Sequence, residues 1–212
     1  MTNNFSDVEQ RVKRYWYIDG IGELLGGGVF LLLGLYFSVQ QYFGDQSLVG
    51  VILQSSFAFI LIGSMLIGRR LINVLKTRLT YPRTGYVEYP TTDKNAMGRR
   101  VLAGLIAMTV AVSSVVIARR INTIDSMVAV TGVLVAGILL VKQAWSSKLY
   151  RFYFLGAASL ILGIVLSVSG LPRGYNLGAF YGLMGTAFLI SGGLTLQRYL
   201  QENPMPVEDQ NG

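Results

Sequence analysis

Two carboxylates, Asp19 and Glu23, are the residues whose type and position could support chemistry in this chain. They are four residues apart at the start of a long apolar segment, so they share one helix face. A charge inside a bilayer costs roughly 2.5–3.5 kcal/mol on insertion scales and is usually functional or paired. Glu23 could bind a proton or a cation, or accept hydrogen bonds from an arginine. Alternatively, both carboxylates lie at the membrane interface, where a helix N-terminus favours them and the basic central loop offers salt bridges.

The composition removes most other chemistry. The chain contains no histidine and no cysteine, which excludes disulfides, thiolate catalysis and the commonest general base and metal ligand. The sequence shows no nucleophile-elbow, phosphate-loop or zinc-protease motif. We therefore expect a protein that is not an enzyme and that carries no cofactor and no metal.

The segments that must position the two carboxylates consist mainly of hydrophobic residues. Of 212 residues, 52% are hydrophobic and 14% are charged, whereas soluble domains carry about 25% charged residues. A spanning helix needs about 20 apolar residues. Six apolar segments are present, at 18–43, 48–68, 101–118, 126–141, 152–170 and 177–196. The sequence predicts an all-α, polytopic membrane bundle of about six helices over residues 18–200, with an N-terminal segment at 1–17 and a tail at 201–212. The fourth segment is the shortest and reaches across only if Lys142 snorkels and Ala144 and Trp145 continue the helix. Alternatively, segments three and four form a re-entrant hairpin, which leaves both termini on one side.

The distribution of basic residues predicts the orientation. With six spans, fifteen of the 18 lysines and arginines lie on the side that holds both termini, and three lie on the other side. Because cytoplasmic loops are enriched in lysine and arginine, both termini are predicted to be cytoplasmic, in a multi-pass plasma-membrane protein. The net charge of +7 does not indicate nucleic-acid binding, since the basic residues flank apolar runs as membrane anchors do.

Glycines recur every seven residues in three of the apolar segments. Seven residues are nearly two helical turns, so each set forms a narrow stripe that lets helices approach closely in lipid. The predicted packing positions are Gly20, Gly27 and Gly34 in the first segment, Gly156, Gly163 and Gly170 in the fifth, and Gly178, Gly185 and Gly192 in the sixth. Segments one, five and six are therefore predicted to form a tightly packed core.

The basic loop at 69–100 is the one extra-membrane segment with a pattern of its own. Its first part predicts a basic amphipathic extension of the second helix along the cytoplasmic leaflet. Pro82 and Gly85 then predict a β-hairpin with strands at 79–81 and 86–89. Such a hairpin would present Tyr81, Arg83 and Tyr86 to a cytosolic protein or to anionic lipid headgroups. The alternative is a surface connector held down by basic anchors.

Three stretches taken together are similar to a known group of proteins. They are YWYIDGIGELLGGG at 15–28, TRLTYPRTGYVEY at 77–89 and QRYLQENP at 197–204. The chain resembles small multi-span membrane proteins from bacteria that have no assigned activity. The resemblance implies a six-helix membrane protein and carries over no catalytic or binding residue.

Two functions remain open. The conspicuous basic loop and the scarcity of charge within the apolar segments favour a membrane scaffold, a sensor or a regulatory partner. The alternative is a small-molecule or lipid transporter with Glu23 in its pathway.

Overall fold

The computed structural model describes residues 17–44, 46–84, 126–144 and 147–205. These residues form helices and no strand. Helix α1 is Ile21–Phe43, and α2 is Leu48–Leu75, which continues through a π-helical turn, Lys76–Thr80, into the short helix α3, Tyr81–Thr84. Helix α4, Ser126–Gly137, is also followed by a π-helical segment, Ile138–Ala144. Helices α5, Tyr150–Ser167, and α6, Arg173–Glu202, complete the described chain.

Among the described residues, four helices are long and apolar enough to cross a membrane: Ile21–Phe43, Leu48–Arg83, Tyr150–Ser167 and Arg173–Glu202. A shorter apolar helix covers Met127–Leu140. An all-helical bundle with long apolar helices, as predicted, is thus confirmed. The predicted third segment, 101–118, lies outside the described residues.

The predicted hairpin differs from the structure. The strand expected at 79–81 is wrong, because these residues continue the helical path of α2 through the π turn and into α3. Pro82 is the second residue of α3, directly after the π-helical turn. The second predicted strand, 86–89, lies outside the described residues. The helical extension of α2 that the sequence predicted is present.

A glycine seam joins α1 to α6, which run antiparallel. Its three levels pair Gly20 with Gly192, Gly27 with Gly185, and Gly34 with Gly178. A Cβ atom added to the three α1 glycines would lie 2.5, 2.8 and 2.8 Å from backbone atoms of α6. The two backbones therefore touch along the whole seam, and side chains at these positions would push the helices apart.

A second seam joins α4 to α5. A Cβ atom on Gly163 would lie 3.0 Å from Cα of Gly132, and Ser159 Oγ donates a 2.9 Å hydrogen bond to Gly132 O. A Cβ atom on Gly156 would lie 2.7 Å from the side chain of Leu140. The glycines of segments one and six thus face each other, and the glycine stripe of segment five faces α4 through Gly132.

Gly170 does not belong to either seam. It follows the end of α5 with φ +73°, and no atom lies within 4 Å of the place a Cβ would occupy. Glycine is favoured there by the left-handed backbone of the turn.

Buried apolar side chains connect the helices of the two seams. Val128, Phe152, Phe180 and Met184 are all at most 2% exposed and belong to one cluster. This cluster packs α4, α5 and α6 against one another, with Phe30 of α1 at its edge.

Candidate functional site

Asp19 is held at the start of α1 by the local backbone. Its Oδ1 accepts a hydrogen bond from the N–H of Ile21 at 3.2 Å, one of the donors that a helix N-terminus leaves without a partner in the helix. Gly20 has φ +71°, and its position against Gly192 leaves no room for a side chain. The side chain of Asp19 is completely buried. A buried carboxylate needs a cation and hydrogen-bond donors close by.

The π-helical turn after α2 supplies both. Lys76 Nζ lies 3.2 Å from Asp19 Oδ2, and Thr80 Oγ1 donates to the same oxygen at 3.1 Å. Lys76 is 2% exposed and Thr80 is fully buried. The ion pair of Asp19 with the basic loop, which the sequence offered as an alternative to a functional carboxylate, is therefore present. The extra residue of a π turn, a feature often found at functional sites, lies where these two side chains meet Asp19.

Glu23 is held by residues of α5 and α6. Its Oε1 lies 2.6 Å from Arg151 Nε as an ion pair, without the alignment of a hydrogen bond, and its Oε2 accepts from Ser191 Oγ at 2.6 Å. Arg151 also donates to Thr195 Oγ1 at 3.0 Å and to the backbone oxygen of Tyr17. One guanidinium thus binds the start of α1 to the end of α6, using the fork of donors that lysine lacks.

These side chains form one charge cluster, defined here as Asp19, Glu23, Lys76 and Arg151 with the hydroxyls of Thr80, Ser191 and Thr195. Its two carboxylates are balanced by its two cations. Removing one partner of such a set leaves an uncompensated buried charge, which is far more costly than the pair is stabilising. The cluster therefore joins four helix ends and makes their arrangement specific.

Arg83 contacts the end of α6 instead of the protein surface. Its Nη1 donates to the carbonyl oxygens of Leu200 and Asn203, at 3.2 and 2.8 Å. The last carbonyls of a helix have no partner within the helix, and a cation there also complements the helix dipole. Tyr81 is half-buried, and Tyr86 lies outside the described residues. Of the predicted set, the structure thus brings Asp19, Glu23 and Arg83 to the same end of the bundle.

In the described part of the chain, two cavities border the charge cluster. One, of about 490 Å³, lies between Ile18, Arg151 and the last turns of α6. The other, of about 220 Å³, is lined mainly by apolar side chains of α1, α5, α6 and the α4 helix with its π-helical extension, and Glu23 and Gln143 are its acidic and amide groups. Among the described residues, Oε1 of Gln143 is buried without a hydrogen-bond partner.

Sequence reasoning missed Lys76, Arg151, Ser191 and Thr195 as members of the site. The two cations were counted only as membrane anchors of loops, and the hydroxyls are unremarkable in an apolar helix. One usable signal was the spacing of Ser191 and Thr195, which places two donors on the α6 face that also carries Gly192. In the part of the chain that the structure describes, no group of three or more acidic residues could hold a metal ion.

Fold and site together define a helical bundle with membrane-length apolar helices and a charge cluster at one end. Comparison of the chain with protein-family models, with curated proteins and with solved structures finds no match.

Proposed function

We propose that this chain is a multi-pass membrane protein of six spans with both termini in the cytoplasm. In this proposal it is not an enzyme and acts as a scaffold, a sensor or a regulatory partner through its basic loop at 69–100. The charge cluster supports the orientation, because it gathers at one end the four helix ends that a cytoplasmic location of both termini requires. The bias of fifteen basic residues to three favours the same side.

One observation carries the proposed role: the division of the basic residues at the end of α2 into an inner and an outer set. Lys76 faces inward to Asp19. Arg69, Arg70 and Arg78 are exposed and, among the described residues, form no ion pair. We call these three arginines the basic face. Unpaired cations on an exposed helix attract acidic protein surfaces and anionic headgroups.

The basic face also replaces the surface predicted from sequence. A docking role for Arg83 would compete with its hydrogen bonds to Leu200 and Asn203. Both carboxylates of the charge cluster accept contacts within the protein, which favours a structural role for them.

Quantitative mass spectrometry of protein purified in native-lipid particles tests the proposal. The variant Arg69→Gln/Arg70→Gln/Arg78→Gln removes the basic face without touching a buried contact. A stoichiometric cytosolic protein present with the wild type and lost from this variant is the expected result. Lys148→Gln/Arg173→Gln serves as the control for removing positive charge elsewhere and should retain the partner. The absence of any stoichiometric protein partner would refute the scaffold role.

The orientation of the chain in the membrane is tested by a separate measurement. A reporter fused after Gly212 should give a cytoplasmic signal, and a signal from the opposite side would overturn the proposed topology.

A transporter or facilitator is the second candidate, and the smaller cavity favours it. Glu23 lines this space, and the buried Oε1 of Gln143 offers an unused acceptor beside it. In this alternative, Gln143→Leu should abolish flux of the transported molecule while leaving partner capture intact. Since Gln143 is outside the ion pairs, its loss does not break the charge cluster, whereas Glu23→Gln would alter flux and stability together.

A further inference from the structure

The larger cavity lies at the charged end of the bundle, where α1 and α5 begin and α6 ends. Its volume of about 490 Å³ is within the range of sites that hold small molecules, roughly 300–1,000 Å³. Its lining includes Arg198 and Glu202, four residues apart on α6 and hence on one helix face.

Arg198 and Glu202 carry opposite charges, and neither charge is paired within the described residues. Both are exposed, and among the described residues neither forms an ion pair or a hydrogen bond, including with the other. Arg151, in the same cavity wall, is fully engaged by contrast, because it contacts Glu23, Thr195 and Tyr17. Within the described residues, the cavity wall therefore presents one available cation, Arg198, beside one available anion, Glu202.

The cavity also has an apolar edge. Leu194 and Ile18 line it with 55% and 37% of their surfaces exposed. The apolar run of α6 ends at Leu196, so Arg198 and Glu202 lie just beyond the part of the helix suited to hydrocarbon. Charged groups next to exposed apolar side chains are typical of the depth at which lipid headgroups lie.

We propose that this cavity binds the headgroup of a phospholipid that carries both a phosphate and a primary ammonium, such as phosphatidylethanolamine. The planar guanidinium of Arg198 donates to the phosphate oxygens, for which its fork of N–H groups is suited. The carboxylate of Glu202 accepts from the ammonium group, and Leu194 and Ile18 contact the start of the acyl chains. A purely anionic headgroup would place negative charge near Glu202 without a compensating ammonium.

Native mass spectrometry of lipid retained by the protein tests this site. The full chain is reconstituted in phosphatidylcholine bilayers that contain equal amounts of phosphatidylethanolamine and phosphatidylglycerol. The wild type is expected to retain phosphatidylethanolamine preferentially. Arg198→Gln should lower that retention about fivefold, which corresponds to the loss of one exposed charge contact. Glu202→Gln should shift the preference toward phosphatidylglycerol, because it removes the repulsion of an anionic headgroup.

The control is Lys148→Gln, which removes an exposed cation outside the cavity and should leave retention unchanged. Glycerophosphoethanolamine, the same headgroup without acyl chains, separates a lipid site from a site for a soluble zwitterion. It should displace the lipid weakly, because it cannot contact Leu194 and Ile18. Equally strong displacement, retention that is insensitive to Arg198→Gln or to Glu202→Gln, or no retained lipid would each overturn the proposal.

Discussion

The substitution Gly27→Ala probes the α1/α6 seam at its central level. The new Cβ atom would lie 2.8 Å from the backbone oxygen of Gly185 and 2.9 Å from Cγ of Leu189. Ordinary van der Waals contact begins at 3.4 Å. A backbone oxygen cannot rotate away as a side chain can, so α1 and α6 must separate by about 0.6 Å. A gap of this size removes a quarter to a half of the dispersion attraction across the seam.

Gly28→Ala is the matched control on the same helix. Gly28 is exposed, and no atom lies within 4 Å of its Cβ position. Both substitutions gain the same helix preference of alanine over glycine, about 0.5–1 kcal/mol. Their difference therefore isolates the overpacking cost at Gly27, which is about 1–3 kcal/mol. Gly27→Ala should unfold at lower temperature than the wild type, and Gly28→Ala at the same or higher temperature.

Thermal unfolding of both variants in one detergent, followed by intrinsic fluorescence, measures this difference. For a chain of this size each kcal/mol changes the midpoint by about 2–4 °C, so a difference of 2 kcal/mol corresponds to about 4–8 °C. Equal midpoints for Gly27→Ala and Gly28→Ala would refute the close backbone contact.

Three further predictions concern the polar contacts at the cluster end. Glu23→Gln should destabilise the protein by roughly 3 kcal/mol, because Arg151 loses its counter-ion. Adding Arg151→Gln should recover part of that loss. A double-mutant cycle of unfolding free energies measures the coupling between the two charges. Lys76→Met should cost about 3–5 kcal/mol by leaving the Asp19 carboxylate buried without a cation, measured by the same unfolding assay. Arg83→Gln should weaken the last turn of α6, seen as faster amide hydrogen exchange in peptides that cover residues 197–205.

Each of these predictions has a result that contradicts it. Strictly additive effects of Glu23→Gln and Arg151→Gln would show that the two charges are not coupled. Arg78→Met is the control for Lys76→Met, since Arg78 is exposed on the same turn and its loss should stay within about 0.5 kcal/mol. Unchanged exchange in Arg83→Gln would exclude its role at the end of α6.

The sequence predicted the helices well and their partners poorly. Seven-residue glycine spacing is visible from residue types alone, and it marks the α1 and α6 positions that lie in contact. The pairing of α5 with α4 depends on Gly132, which has no glycine seven residues before or after it, so the seven-residue spacing could not reveal it. The spacing of glycines shows which face of a helix lacks side chains. It does not show which helix packs against that face, because this depends on the tertiary fold.

For the charge cluster, too, the sequence revealed some members but not the residues that pair with them. Asp19 and Glu23 were recognisable because carboxylates at the start of an apolar helix are unusual. Their cations, Lys76 and Arg151, could not be selected among 18 basic residues that all suit a membrane interface. The strand predicted at 79–81 failed for a related reason: the contacts of Lys76 and Thr80 with Asp19 favour a helical path, which overrides the local turn preference of the sequence.

The pairing of α1 with α6 has a consequence for biogenesis. The ribosome completes α1 at Phe43 but must add 159 further residues before α6 ends at Glu202. At translation rates of about 5–20 residues per second, this takes roughly 8–32 s. For most of that interval the glycine stripe of α1 has no α6 to cover it, and Glu23 lacks both Arg151 and Ser191. We therefore expect α1 to stay beside the insertion machinery or a chaperone until α6 is made, and a chain truncated before α6 to expose that stripe to membrane quality control.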